Sequence, residues 1–412
     1  MTSRISKSLR AVYNKTVNSI AFYPALIAIG FLFLSWLMLE LDFSDAGKHI
    51  KASYSWVRLK DASTARTIVS TIAGGIISLM VFSFSMVMIL LNQAASQMSN
   101  RMLESMIGNR FQQIVLGFYI GTIVYALFLL STIRDIESGI YVPALSIYLL
   151  LMVTIADIFM FIYFLHYVTQ SVKFETIISR VHKQTFNALK NACAVNDQSN
   201  TDLPLSGGQV MVTNSSAYYQ GIDKKQLVEF TAQHNGLVKL LHPPGTFLLK
   251  GQPVAVFYAN ALLKKEDSED LLLSLDFYTG QSIDQNFYYG FHQLTEVALK
   301  ALSPGINDPQ TAVLSLHALA DLFEYRLNHH PELEIKNKDG RACIYLAGRS
   351  YSELFTECIL PIWDYGSDDR YIQNTLKSMI SQLLSSGPEK ETEQILTGML
   401  NKVNDKITNS KK

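Results

Sequence analysis

The sequence predicts an α-helical membrane protein, four transmembrane helices followed by a cytoplasmic α+β domain that contains a small barrel-sandwich-like β unit. Three observations point there. Mean hydropathy over the 412 residues is +0.16. Charged residues make up 17% of the chain, against about a quarter in ordinary soluble domains. The deficit is concentrated in residues 1–167, where four apolar runs (20–39, 68–91, 114–133 and 140–167) match the ~20 residues that a helix needs to cross ~30 Å of hydrocarbon.

The first run follows Arg4, Lys7, Arg10 and Lys15. Its length and the lack of a small-x-small cleavage site make it a retained span rather than a signal peptide. An even number of spans puts both ends on one side. That side carries ten Lys/Arg, these four with Arg101, Arg110, Lys173, Arg180, Lys183 and Lys190, while Lys48, Lys51, Arg58, Lys60, Arg66 and Arg134 make six opposite. The positive-inside rule therefore places both termini in the cytoplasm of a bacterial inner membrane.

Span two carries a seven-residue repeat, Thr71, Ser78, Ser85, Asn92 and Ser99, with Gly75 and Ser96 on the same helical face. Small and polar groups on one face form either a seam where helices approach closely or a water-lined path. On the second reading Thr71, Ser78, Ser85 and Asn92 line a pore, and Phe82 and Ile89 narrow it. The pattern predicts that this helix runs on through Asn92 to Ile107 and stops at Gly108. Span four holds Asp157 near its middle, where an ionisable group either serves a function or is hydrogen-bonded to a Tyr or Ser of a neighbouring span.

Beyond Tyr167 an apolar stripe (Val168, Val172, Ile178, Val181, Thr185, Leu189) predicts that span four continues as a helical stalk over 168–195, about 75 Å in all at 1.5 Å per residue, seeking partners in a homo-oligomer. Residues 196–208 read as a polar linker. From Gln209 the code changes to short strands, and the stretch from His234 to Phe257 resembles half of a biotinyl/lipoyl-type barrel sandwich, which defines a β unit over 209–283. No carrier role follows, because HPPGTF stands where a modifiable lysine would sit. Residues 284–412 read as helical. Between two of the helices, Ser303, Gly305, Asn307, Asp308 and Thr311 form a loop in which Gly305 ends one helix, Asp308 caps the next and Pro309 opens it. The same acid, amide and helix N-terminus form a candidate ligand loop.

The FSFSMVMILLNQAASQMSNRML run, the GTFLLKGQPVAVF strand pair and above all ALSPGINDPQTAV resemble an uncharacterised family of predicted bacterial membrane proteins, domain of unknown function 2254. The resemblance covers most of the chain and implies topology and bacterial origin, and no established activity.

With Lys+Arg 35 against Asp+Glu 35, no electrostatic footprint for nucleic acid exists. Cys193, Cys343 and Cys358 lack CxxC spacing, so reduced thiols are expected and a metal site or cofactor is not. No catalytic motif is visible. The expected partners are the bilayer and further copies of the chain, with an ion or small solute as cargo. Three functions follow: an oligomeric channel or transporter with a cytoplasmic regulatory domain, a membrane-tethered scaffold or ligand sensor, and a membrane-bound enzyme drawing on Asp284, His292, Glu296, Asn307, Asp308 and Arg349. Four spans are too few to enclose a pathway alone, so transport requires copies around an axis.

Overall fold

The computed structural model describes residues 21–53, 61–97, 110–133, 142–194, 207–259, 261–278, 282–337 and 340–409, and the chain divides into two units, 1–173 and 174–412. In the first unit the described elements are α1 (Phe22–Phe43), α2 (Asp45–Ser53), α3 (Ala62–Gln97), α4 (Arg110–Thr132) and α5 (Ala144–Ser171). Four of these helices, α1, α3 over Ala62–Asn92, α4 and α5, are long and apolar enough to span a bilayer. The expected extension of α3 is helical as far as Gln97, and 98–108 lie outside the described residues.

Helix α4 is central, with α1, α3 and α5 all packed against it around Val69, Ile76, Tyr119, Leu129, Ile147 and Leu150. Two glycines one turn apart, Gly117 and Gly121, let α1 approach. A Cβ at Gly117 would stand 2.6 Å from Ile27 Cδ1 and 3.1 Å from the Pro24 Cα, and one at Gly121 2.7 Å from the Phe31 ring. This is a small-x-x-x-small contact, in which backbone proximity supplies the van der Waals attraction that hydrocarbon solvent does not.

A carboxylate ties α1 to α5. Asp42, fully buried in the last turn of α1, accepts from Leu145 N (3.1 Å), Ser146 N (2.7 Å) and Ser146 Oγ (2.6 Å), and its Oδ1 lies 3.2 Å from Lys51 Nζ on α2. It thus caps the N-terminus of α5 from another helix, where free N–H groups and the helix dipole favour a negative charge.

The single long helix expected from span four does not form. Helix α5 ends at Ser171, and a new helix, α6 (Phe174–Ala192), begins three residues on. The Thr169 hydroxyl bonds back to the Leu165 and His166 carbonyls, and Ser171 to Val168. Such bonds compete with the helical ladder. The stripe on α6 needs no second chain, since Ile177, Ile178, Val181, Thr185 and Leu189 are buried within the second unit.

In that unit α6 leads to β1 (Cys193–Ala194), β2 (Gln209–Val212), β3 (Ala217–Ile222), α7 (Lys224–Gln233), β4 (Leu237–Leu240), β5 (Thr246–Leu248), β6 (Pro253–Tyr258), α8 (Lys265–Leu273), β7 (Leu275–Tyr278), α9 (Phe287–Leu302), α10 (Pro309–Asn328), β8 (His330–Pro331), β9 (Glu334–Lys336), β10 (Ala342–Tyr345), α11 (Tyr351–Gly366), α12 (Arg370–Ser385) and α13 (Lys390–Asn409). The sheets run β2-β6-β4-β10-β9 and β5-β3-β7, with β1 paired to β8. Both larger sheets face one core of Met211, Tyr219, Leu227, Val238, Leu248, Phe257 and Ile344.

The β unit is therefore not confined to 209–283. Strand β10 pairs in parallel with β4 and brings β9 with it, and α7 and α8 interrupt the strands. The half-barrel pattern is split, with β5 in one sheet and β6 in the other. The helices pack around Phe291, Leu316, Phe323, Phe355, Ile359 and Leu376, all of them buried. Helix α6 joins them through α9 and α10, with His182 Nε2 2.7 Å from Asp321 Oδ2.

Candidate functional site

The two faces of α3 differ sharply. Ala65, Val69, Ile72, Ile76 and Ser83 are buried against the rest of the bundle, whereas Thr71, Ser78, Phe82, Ser85, Ile89 and Asn92 are all exposed on the single chain. Gly74 and Gly75 lie on the open side as well, where an added Cβ would meet no heavy atom within 4 Å. Ser78 satisfies its hydroxyl on the Gly74 carbonyl at 2.9 Å. Phe82 is shared, since one edge of its ring meets Phe161 of α5 with centroids 5.9 Å apart. The small and polar face predicted from the repeat thus looks away from the chain's own helices.

Asp157 lies on the inner side of α5 and is fully buried. Thr122 and Tyr119 of α4 neighbour it, and Ser83 of α3 stands beside Tyr119. Among the described residues both carboxylate oxygens, the Thr122 hydroxyl and the Tyr119 hydroxyl lack a hydrogen-bond partner. Three spans therefore bring polar oxygens to one enclosed point, a costly arrangement in a medium of low dielectric. Ser83 carries no signal in the sequence, because it lies off the seven-residue repeat, one turn before Val87.

The loop of Ser303, Gly305, Asn307, Asp308 and Thr311 turns its polar groups on itself. Helix α9 ends at Leu302, earlier than Gly305, and Ser303 Oγ donates to Lys300 O at 2.6 Å. Asp308 accepts from Thr311 N (3.2 Å) and Thr311 Oγ1 (2.6 Å) and caps α10, with Pro309 in its first turn. Asn307 holds φ +49. That left-handed conformation suits Asn among non-glycine residues and lets the chain reverse from Ser303 into α10. Asp308→Ala should cost about 0.5–2 kcal/mol and Asp308→Ser far less, read as the denaturation midpoint of the purified protein. Equal losses in the two variants would exclude capping.

Of the candidate catalytic residues, the fold gathers three. His292 and Glu296 lie one turn apart on α9, and Glu357 of α11 joins His292 to Arg349. Its Oε2 is 3.5 Å from His292 Nε2 and accepts from Arg349 Nη1. Asp284 is exposed before α9, and Asn307 and Asp308 sit in the loop after it. Glu357 had no visible motif to mark it, since it lies in an ordinary amphipathic helix. Burial first, then the Arg349 charge, lowers the His292 pKa, against the opposing pull of Glu357 and Glu296. The folded protein thus favours neutral imidazole, while the unfolded chain titrates near 6.5. This stabilisation is complete above that value and is lost as pH falls through the lower folded pKa. The denaturation midpoint should drop between pH 7 and pH 5, and His292→Gln should drop less over the same interval. Identical pH profiles would contradict the assignment.

The cysteines are free and buried. Burial pushes the Cys193 thiol up to about 11 and the Cys358 thiol to about 12, which makes both poor nucleophiles. Among the described residues, no three His, Cys, Asp or Glu side chains are grouped to hold a metal ion.

With four apolar helices and this C-terminal unit in view, comparison with known families is decisive. The family described as predicted membrane protein, DUF2254, matches residues 17–382. The chain belongs to this family. Similar proteins include an uncharacterized protein of Mycobacterium tuberculosis, Rv1290c, and one of Mycobacterium bovis, Mb1321c. Each is 22% identical over 328 residues, covering 77% of this chain and 63% of the relative. The chain thus spans less than two thirds of the length of the curated relatives it matches. No solved structure matches this DUF2254 chain.

Proposed function

We propose that this DUF2254 protein works as a homo-oligomer in a bacterial inner membrane, with both termini in the cytoplasm, and that copies meet at the polar face of α3 to line a path for an ion or small solute. One observation carries the reading: Thr71, Ser78, Phe82, Ser85, Ile89 and Asn92 are exposed on a helix whose opposite face is buried in its own bundle. Hydroxyls and an amide presented to hydrocarbon are unfavourable, and a neighbouring copy or water relieves that cost. Around an axis these groups replace part of an ion's hydration shell, and Phe82 and Ile89 narrow the path. The C-terminal unit regulates it. Asp157, enclosed with Thr122 and Tyr119, is the intramembrane acid of the assembly.

Reconstitution into planar bilayers tests this. The wild-type oligomer should conduct, and Phe82→Ala and Ile89→Ala should raise the unitary conductance. Electrically silent bilayers from a correctly assembled oligomer would contradict conduction. A second reading, a membrane-tethered ligand sensor or scaffold without transport, draws on a cavity in the C-terminal unit. A third, a membrane-bound enzyme, draws on the His292, Glu357 and Arg349 grouping.

A further inference from the structure

The C-terminal unit exposes apolar side chains at two strand edges. Strand β2 closes one edge of the five-stranded sheet, and β5 one edge of the three-stranded sheet. On β2, Met211 is buried while Val210 and Val212 are 51% and 44% exposed. On and just after β5, Leu248 is buried while Phe247 and Leu249 are 51% and 58% exposed. The alternation is that of half-buried strands, with apolar residues on the side that ordinarily carries polar ones. An exposed apolar edge is a liability that soluble proteins cover or charge.

The two pairs adjoin. Thr213, the residue after β2, donates from its N–H to Gln252 O at 2.9 Å and from its hydroxyl to Leu249 O at 2.6 Å, and its carbonyl accepts from Gly251 N at 2.9 Å. The C-terminal ends of both strands are thereby joined. Phe247 rests beside Tyr218, with ring centroids 5.1 Å apart.

Charge selects the occupant. Neither 207–222 nor 234–263, the segments that build β2 to β6, contains an Asp or Glu. Lys250 follows Leu249 directly and is exposed. Across the sheet, Val210 opposes Val256 and Val256 opposes Lys239, so a second cationic side chain shares the face of Val210. That row meets its first carboxylate only at Glu334 on β9, four strand spacings from β2 and so about 19 Å away. Two copies of this patch would set lysine against lysine with no acid between them, which disfavours self-association. An anionic phospholipid surface offers phosphate to the lysines and an acyl boundary to the apolar side chains. Such a surface is within reach of the unit. The unit begins at Phe174, three residues after Ser171 ends α5, a helix long and apolar enough to span a bilayer. Tethering makes even a weak interfacial contact effective.

We propose that the edge formed by β2 and β5 docks on an anionic lipid surface, with Phe247 and Leu249 inserted at the acyl boundary and Lys250 and Lys239 on the phosphates. The inference draws on the membrane spans and not on the α3 path, so docking and conduction are separable results. Full-length Phe247→Cys protein is labelled with an environment-sensitive fluorophore, the native thiols being buried. It is placed in phosphatidylcholine nanodiscs, with or without phosphatidylglycerol, that contain a lipid spin-labelled near its headgroup. Tyr371→Cys, at an exposed position of α12, is the control. With phosphatidylglycerol, emission from position 247 should shift to the blue and be quenched by the spin-labelled lipid, while position 371 stays unquenched. Adding about 0.5 M NaCl should weaken the quenching by screening. Lys250→Glu in the Phe247→Cys background should reduce the quenching by about half or more while leaving the melting temperature unchanged. A blue shift of equal size without phosphatidylglycerol and without lipid quenching would place a second copy on the edge. Emission matching position 371 in every nanodisc would leave the edge in water. Either result, or quenching indifferent to Lys250→Glu, would overturn the proposal.

Discussion

Replacing Asp42 by Ala should destabilise the membrane unit by roughly 3–5 kcal/mol, the range found when one partner of a buried ion pair is removed. The loss has three sources on the structure. Two N–H groups at the start of α5 lose their acceptor, the Ser146 hydroxyl loses its own, and the Lys51 ammonium, largely buried, loses its counter-charge. Asp42→Asn keeps one acceptor oxygen and should fall between wild type and Asp42→Ala. The nearby Lys48 to Asp45 pair, also at 3.2 Å, is solvent-exposed on both sides. Asp45→Ala should therefore change nothing measurable, because water screens such pairs. Denaturant midpoints in detergent provide the comparison, and a double-mutant cycle with Lys51→Ala isolates the coupling. Equal small effects at Asp42 and Asp45 would show that the α1 to α5 contact is carried by apolar packing alone.

Gly117→Leu should cost about 3 kcal/mol, at the upper end for overpacking. The added Cβ meets Ile27 Cδ1, which can rotate away, but also the Pro24 backbone, which cannot. Relief therefore requires α1 to move off α4. Gly121→Leu meets the Phe31 ring, a side chain in edge-to-face contact with Phe118 at 5.6 Å, and should cost less because the ring can turn. Gly30→Leu on α1, where nothing lies within 4 Å, is the control and should be tolerated. Proteolysis of the α1 to α4 pair in detergent, or the denaturation midpoint, reports the order. A Gly117→Leu variant as stable as Gly30→Leu would mean that the close approach contributes nothing.

How much of this was legible in the sequence depended on the kind of signal. The four spans were readable because apolar length is a global property, insensitive to a few residues at either end. The Asp308 cap was readable because its partners, Thr311 and Pro309, lie within one turn. Asn307 was not, since its role is a backbone angle that no pattern of hydropathy encodes. Asp42 resembles an ordinary interfacial acid until the fold brings Ser146 to it across about a hundred residues. Gly117 and Gly121 sit in a uniformly apolar run, where only the partner helix reveals why small residues are needed. The break after Ser171 was hidden because the apolar stripe continues across it without Gly or Pro, and β9 and β10 are too short for periodicity to register. For the candidate site, the α3 repeat and Asp157 were visible residue by residue. Their surroundings, an outward-facing surface in one case and a buried cluster with Thr122 and Tyr119 in the other, required three dimensions.

What the outward face of α3 meets decides between a conducting path and a packing seam, and cysteine accessibility tests it most directly. The three native thiols are buried, so background labelling is low. Ser78→Cys and Ser85→Cys are introduced singly and treated with a small, charged, membrane-impermeant thiol reagent in the assembled protein, beside Met152→Cys and Ile155→Cys on the exposed apolar face of α5. If copies surround a water-lined path, the two α3 cysteines label from the aqueous phase and the two α5 cysteines, facing lipid, do not. Unreactive α3 cysteines in an intact oligomer would make the face a dry packing seam and contradict the proposed path.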